Sequence, residues 1–246
     1  MTQTAKQPEP LIAQPASELR GARAVAVQRF VRGHNHVTLY NADCLDVLPE
    51  IKCDAIISDP PYGMNWNTDY TRFSSGYGYK RKIKHKPVEG DAVEFDPTPL
   101  LNFEHVVLFG ANHFCRHLPS GTWLVWDKKQ DGAHGTFLSD CELAWMKSGQ
   151  GVYLYRQIWN GCQRRGGDDE KANHPTQKPI NLMKWVMEKS KVPAGATVCD
   201  PYMGSGTTGI ACLRTNRNFI GIEKDPEHFK TACARLEAEC NQGALL

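Results

Sequence analysis

The chain has 246 residues, 41% hydrophobic and 23% charged, a balance that lets a globular protein bury its own core without staples. The formal net charge of +2 leaves nucleic-acid binding open, since that depends on where positive charge clusters. Nine irregularly spaced cysteines with no C-x-x-C pair argue against a disulfide framework or a zinc site and fit a cytoplasmic protein with reduced thiols; no secretory signal or membrane-length apolar run is visible.

Residues 1–35 are expected to form a flexible tail, rich in Gln, Pro, Ala and Arg, with one short helix around Glu18 to Phe30. His36 to Tyr40 and Asp54 to Ser58 read as strands, followed by the short apolar runs Val106 to Phe109 and Thr122 to Trp126. Val152 to Trp159 alternates as one further strand. Leu182, Trp185 and Val186 have helical spacing within Asn181 to Lys191. Thr197 to Cys199 is a strand ending at a glycine-rich turn, Thr207 to Arg214 a helix, Phe219 to Ile222 a strand, and Pro226 to Cys240 the closing helix. Strands alternating with helices predict a parallel α/β sheet in one domain, residues 36–246. Two stretches fit no regular element, Met64 to Gly90 and Gly161 to Asn173.

The sharpest signal is Asp59-Pro60-Pro61-Tyr62 at the end of a strand. Two successive prolines fix an extended turn and remove N–H donors, leaving a carboxylate, a backbone carbonyl and an aromatic ring. That array suits an aromatic exocyclic amine, whose lone pair is delocalised into its ring. Two acceptors that bind its hydrogens draw the nitrogen towards tetrahedral geometry, and an aromatic face stacks on the base. The base must leave the duplex to reach such a site. A plain loop turn with a packed tyrosine is the alternative for this motif alone.

Gly204, Gly206 and Gly209 form G-x-G-x-x-G after a strand and before a helix, with Glu223 at the end of the next strand. Asp200 and Pro201 crowd the turn, and no P-loop lysine is present. A carboxylate beside the loop suits a cationic ligand such as S-adenosylmethionine better than a pyrophosphate. A dinucleotide site and a structural glycine turn are the alternatives.

With these motifs in place, residues from about Val37 to Leu236 resemble the amino-methyltransferases of DNA, in the group whose DPPY motif lies upstream of its cofactor motif (the beta class). Asn41-Ala42-Asp43, Phe109 to Phe114, Val125 to Lys128 and His174 to Pro179 fit further family segments. The resemblance implies a Rossmann-like, circularly permuted α/β fold, with a mostly parallel seven-stranded sheet, helices on both faces and the site at the carboxyl ends of the strands. It implies that Asp59 and the carbonyl of Pro60, shaped by Pro61, hold the target amine and that Tyr62 stacks on the base. Asp200, Pro201, Gly204, Ser205, Gly206, Thr207 and Thr208 are then expected at the methionine end of S-adenosylmethionine, with Asp59 and Thr176 beside it. Glu223 is expected on the ribose, Asp43 on the adenine, and Lys178 on the cofactor carboxylate. Asp at the first motif position favours N6 of adenine as target; N4 of cytosine is the alternative, with RNA or protein amides and a non-catalytic DNA-binding relic behind it.

DNA contact is expected from Arg72, Lys80, Arg81, Lys82, Lys84 and Lys86, interleaved with Tyr70, Phe73, Tyr77 and Tyr79, since cations suit phosphates and aromatics suit unstacked bases. A solvated charged loop is the alternative. Arg164 and Arg165 lie in a short candidate target-recognition segment, residues 161–173. The family leaves room for a homodimer and a cognate restriction endonuclease. His113, His117 and His174 lack metal spacing, and no metal is expected.

Overall fold

The computed structural model describes residues 26–65, 90–135, 139–160, 163–164 and 177–242. Nine strands form one sheet: β1 (Ala26–Arg32), β2 (Asn35–Asn41), β3 (Ala55–Ser58), β4 (His105–Phe109), β5 (Thr122–Asp127), β6 (Cys141–Met146), β7 (Val152–Arg156), β10 (Thr197–Asp200) and β11 (Asn218–Glu223). Their order is β1-β2-β11-β10-β3-β4-β6-β5-β7. Strands β2, β11, β10, β3 and β4 run parallel. Strand β6 lies antiparallel between β4 and β5.

The expected seven strands are the run from β2 to β5, and the sheet is longer by one strand at each edge. Strand β1 corrects the expectation of a tail and helix over its residues. Val27 and Phe30 are buried, and Arg32 pairs with Asn35 around a two-residue turn in which Gly33 has φ +59. Residues 1–25 lie outside the described part. The single strand expected over Val152 to Trp159 is broken. The Gln157 N–H donates to the Asp127 carbonyl at 3.0 Å, and its own carbonyl accepts from the Trp126 indole at 3.0 Å. The chain then enters a separate hairpin of β8 (Trp159–Asn160) and β9 (Gln163–Arg164), placing regular structure at the start of the second irregular stretch.

Four helices are present among the described residues, α1 (Cys44–Val47), α2 (Ile180–Lys189), α3 (Thr207–Arg214) and α4 (Pro226–Gln242). The period-2 alternation of the strands divides the core. Ala55, Ile57, Val107 and Phe109 pack on one face with Leu182, Met183 and Val186 of α2, Ile210 and Leu213 of α3, and Phe229, Ala232 and Leu236 of α4. Ile56, Val106 and Leu108 face the other way, against Val47 of α1, Leu48, Phe95 and Phe114. All three long helices therefore cover one face, while α1 and short 3-10 turns cover the other. Each fully buried Leu, Ile or Phe contributes about 1.5–3 kcal/mol.

Helix α4 starts where Pro226 presets the first turn and the Asp225 carboxylate accepts from the N–H groups of Glu227 at 2.8 Å and His228 at 3.1 Å. Its buried Glu239 accepts from Arg214 of α3 at 3.0 and 2.8 Å and from Arg32 of β1 at 2.9 Å. That shared carboxylate ties the edge strand to the helical layer.

Candidate active site

From β10 the chain moves to β11 on one side, and from β3 it moves to β4 on the other. The sheet thus has its topological switch point between β3 and β10, where open α/β sheets bind ligands beyond the strand ends. The DPPY turn follows β3, the glycine loop follows β10, Glu223 ends β11, and Asp43 lies two residues beyond β2. Motifs far apart in sequence are neighbours because their strands are.

A buried hydrogen bond fastens the first two. The Ser58 hydroxyl donates to Asp200 Oδ1 at 2.5 Å. Tyr202 N donates to the same oxygen at 3.1 Å, and the Thr208 hydroxyl donates to Oδ2 at 2.6 Å. Burial pushes the Asp200 carboxyl up to about 6, against the lowering effect of these three donors. The carboxylate of Asp200 and the hydroxyl of Thr208 thus shape the loop from below. Ser205 and Thr207 turn towards α4, where Arg235 donates to the Ser205 carbonyl at 2.6 Å and to the two hydroxyls at 3.0 and 3.3 Å.

Gly204 has φ +52, and a Cβ there would meet nothing within 4 Å, so the loop is open above it. Its N–H donates to Glu223 Oε2 at 3.0 Å, while Glu223 Oε1 accepts from Asp225 N at 2.8 Å. Burial raises the Glu223 carboxyl above its ordinary value. Asp43 caps α1 by accepting from Leu45 N at 3.1 Å and pairs with Lys224 at 3.3 Å. An acid, an open glycine backbone and a second acid therefore line three adjacent strand ends. This is a donor and acceptor set that fits ribose hydroxyls and an adenine amine.

Asp59 lies at the centre of a polar cluster. Its Oδ1 accepts from the Tyr62 hydroxyl at 2.5 Å, and its Oδ2 accepts from the Lys178 ammonium. Lys178 also faces Glu142 Oε2 at 3.2 Å, and Glu142 Oε1 accepts from Lys128 Nζ at 2.7 Å. The Lys178 ammonium lies over the Phe109 ring, 5.2 Å from its centroid. Burial opposes the Lys178 charge, but the Asp59 and Glu142 carboxylates outweigh it and hold the ammonium well above its ordinary value. Burial likewise opposes ionised Glu142, yet Lys178 and Lys128 pull that carboxyl down to about 2. Burial and the Asp59 charge raise the Tyr62 phenol well above its ordinary range, so it acts as a donor.

The Tyr62 ring stacks on His113 with centroids 5.2 Å apart and planes 11° apart. The backbone of Gly110, in the left-handed region at φ +65, runs so close that a Cβ there would stand 2.0 Å from Tyr62 Cε1. Beyond the motif, Asp91 Oδ1 accepts from Gly63 N at 2.9 Å and Met64 N at 3.2 Å, and the Asp91 carbonyl accepts from Asn65 N at 2.7 Å. Residues 63–65 and Asp91 are therefore fastened to each other next to Tyr62.

Of the expected site residues, Asp43, Asp59, Pro60, Pro61, Tyr62, Lys178, Asp200, Pro201, Gly204, Ser205, Gly206, Thr207, Thr208 and Glu223 lie along this edge of the sheet. Arg72, Lys80, Arg81, Lys82, Lys84, Lys86, Arg165 and Thr176 lie outside the described residues, and Arg164 is described only as backbone of β9. Sequence reasoning missed Glu142 as a site residue. Its signal was a lone acid in the apolar run Cys-Glu-Leu-Ala-Trp-Met, the run that forms β6. Among the described residues no cluster of His, Cys, Asp and Glu could hold a metal ion, and no helix is long and apolar enough to cross a membrane.

Comparison with known proteins agrees with this geometry. Residues 117–234 match the profile of the N6/N4 DNA methylase family. The type II methyltransferase M2.MboI of Moraxella bovis is 32% identical over 257 aligned positions, covering 84% of this chain and 89% of that protein. M2.DpnII of Streptococcus pneumoniae is 32% identical over 129 residues, 52% of this chain, and this match spans about half (47%) of that relative's length. Among solved structures, the complex of M1.HpyAVI with SAM is 27% identical, covers 81% of this chain and 100% of its own, and superposes with a TM-score of 0.51. The PvuII cytosine-N4-specific DNA methyltransferase, at 13% identity with 84% and 92% covered and a TM-score of 0.51, shares the fold. With the DPPY turn and glycine loop side by side at the switch point, and a relative matched along nearly its whole length, the chain belongs to the N6/N4 DNA methylase family.

Proposed function

We propose that the protein transfers a methyl group from S-adenosylmethionine to N6 of a flipped-out adenine at specific sites in DNA. The observation that carries this reading is the junction of the two motifs. Ser58, immediately before the DPPY turn, is bonded to Asp200, which opens the glycine loop. An amine held at Asp59 and a cofactor held over Gly204 would then meet at one strand junction.

S-adenosylmethionine supplies a methyl carbon on a positively charged sulfur. The chain's own residues do the rest. Glu223 and Asp43 would take the ribose hydroxyls and the cofactor adenine, and the Gly204 to Gly206 backbone would follow the methionine moiety. The loop side chains Asp200, Ser205, Thr207 and Thr208 would keep that backbone in place, since their polar atoms already bond within the fold. Lys178 would take the cofactor carboxylate. Asp59 and the Pro60 carbonyl would accept the two hydrogens of the target amine and localise its lone pair, with Tyr62 stacked on the base. As the amine nitrogen bonds to the methyl carbon, the electron pair of the carbon–sulfur bond would pass to sulfur, and Asp59 would relay the surplus proton to water. Alignment of the three reacting atoms would supply much of the acceleration.

The described residues on either side of 66–89, Gly63, Met64 and Asp91, are bonded together next to Tyr62, which supports a DNA-contacting role for Arg72, Lys80, Arg81, Lys82, Lys84 and Lys86. Arg164 and Arg165, in the short recognition segment, are proposed to help read the site. A cytoplasmic protein, acting as a homodimer and beside a cognate endonuclease, belongs to the same reading and rests on the family resemblance.

The test is to incubate the protein with unmethylated DNA and methyl-labelled S-adenosylmethionine, digest to nucleosides and identify the labelled one. Label in N6-methyladenine is expected. Label in N4-methylcytosine would move the target to cytosine with the same mechanism. Label found only when RNA or protein replaces DNA would overturn the reading.

A further inference from the structure

Asp59 has a difficulty that its motif does not reveal. To polarise an amine it must present negative charge, yet Lys178 sits on one of its oxygens and neutralises it. The ammonium stays charged at any working pH, so it is neither a base for the amine nor able to leave by losing its proton. Of its three N–H donors one is expected on the cofactor carboxylate, so the one that leaves Asp59 needs another acceptor within the chain.

The structure provides that acceptor. Glu142 Oε2 is buried and stands 3.2 Å from Lys178 Nζ. Among the described residues no hydrogen bond of good geometry reaches that oxygen, so it has acceptor capacity left beside the ammonium. Glu142 comes from β6, the antiparallel strand inserted between β4 and β5, and its other oxygen is held by Lys128. Four charges of alternating sign thus run Asp59, Lys178, Glu142, Lys128. An ammonium already shared between two carboxylates can move its weight to the second with a small displacement. Without the second it would remain a tight partner of the first, because a buried charge left unpaired is costly.

We propose that Glu142 is a positioning residue for methyl transfer: it receives the Lys178 ammonium when the target amine arrives, and so frees the Asp59 carboxylate to accept the amine hydrogens. This rests on the methyltransferase reading above. Lys128 holds the other oxygen of Glu142 and so keeps its carboxylate in place.

The test compares Glu142→Gln and Glu142→Asp with the unaltered protein, measuring kcat, KM for DNA, cofactor-analogue affinity and Tm. Glu142→Gln is expected to lower kcat at least tenfold, with KM for DNA and affinity for sinefungin changed less than threefold. Glu142→Asp keeps a carboxylate to receive the ammonium and is expected to recover at least part of the kcat lost in Glu142→Gln. Parallel losses of kcat in both variants, or loss in neither, would overturn the proposal and leave the cluster a structural one. A crystal structure of the unaltered protein with sinefungin and duplex DNA gives an answer that does not depend on turnover. Lys178 is expected against Glu142 and withdrawn from Asp59, and Lys178 still bound to Asp59 beside a flipped base would overturn the proposal. If the unaltered protein labels no DNA, the methyltransferase reading fails and takes this proposal with it; if it labels DNA and Glu142→Gln labels it equally fast, only this proposal fails.

Discussion

Ser58 and Asp200 are 142 residues apart in sequence and 2.5 Å apart in space, joined by a hydroxyl-to-carboxylate bond across the neighbouring strands β3 and β10. This bond sets the spacing between the turn that holds Asp59 and the loop that holds Gly204. It also sits on a carboxyl whose folded value is raised to about 6 from an ordinary 3.8.

Such an acid keeps its proton in the folded state at pH values where the unfolded chain has already lost it. The folded state therefore binds more protons between about pH 4 and pH 6, and stability falls as pH rises through that window, by about 3 kcal/mol in all. Ser58→Ala removes a donor that favours the charged form, so the loss should extend above pH 6. We expect Ser58→Ala to cost about 1–3 kcal/mol at pH 8 and clearly less at pH 5, by urea denaturation at both. Equal costs at the two pH values would count against titration of Asp200.

Gly110→Ala should damage both fold and activity. The new methyl would lie 2.0 Å from Tyr62 Cε1 on a backbone at φ +65, so the ring must move and the backbone is strained. Roughly 2–4 kcal/mol of stability should be lost, read as a lower denaturation midpoint. Activity should fall further than stability accounts for, because the displaced ring carries the hydroxyl bonded to Asp59.

Asp59→Asn keeps the shape of the side chain and removes its charge. We expect kcat to fall by at least about 10²–10³, the cost of losing a preorganised electrostatic contact made in the transition state. Sinefungin binding, measured by calorimetry, should change by less than about tenfold, because Glu142 still pairs with Lys178. A variant that retains full turnover would remove Asp59 from the chemistry.

Glu223→Ala should act on the cofactor instead. A Kd for S-adenosylmethionine higher by about tenfold or more, or roughly 1.4 kcal/mol, is expected by calorimetry. The N–H groups of Gly204 and Asp225 would lose their acceptor as well, so Tm should also fall. Unchanged affinity would place the ribose elsewhere.

By itself the sequence determined the chemistry available to this protein. Asp59 to Tyr62 and Gly204 to Gly209 are local, and their prolines and glycines restrict the backbone wherever they occur. It also determined most of the strands and helices, since the apolar runs in Ala55–Ser58 and His105–Phe109 and the helical spacing of Leu182, Trp185 and Val186 are local patterns. Only the tertiary structure decided that β10 lies beside β3, that β1 adds an edge strand, and that β6 enters antiparallel and carries Glu142 to Lys178. The physical reason is that a strand's partner and direction are set by what it packs against in the folded sheet, which its own residues do not encode. A lone glutamate in an apolar run carries no mark of the lysine it will meet.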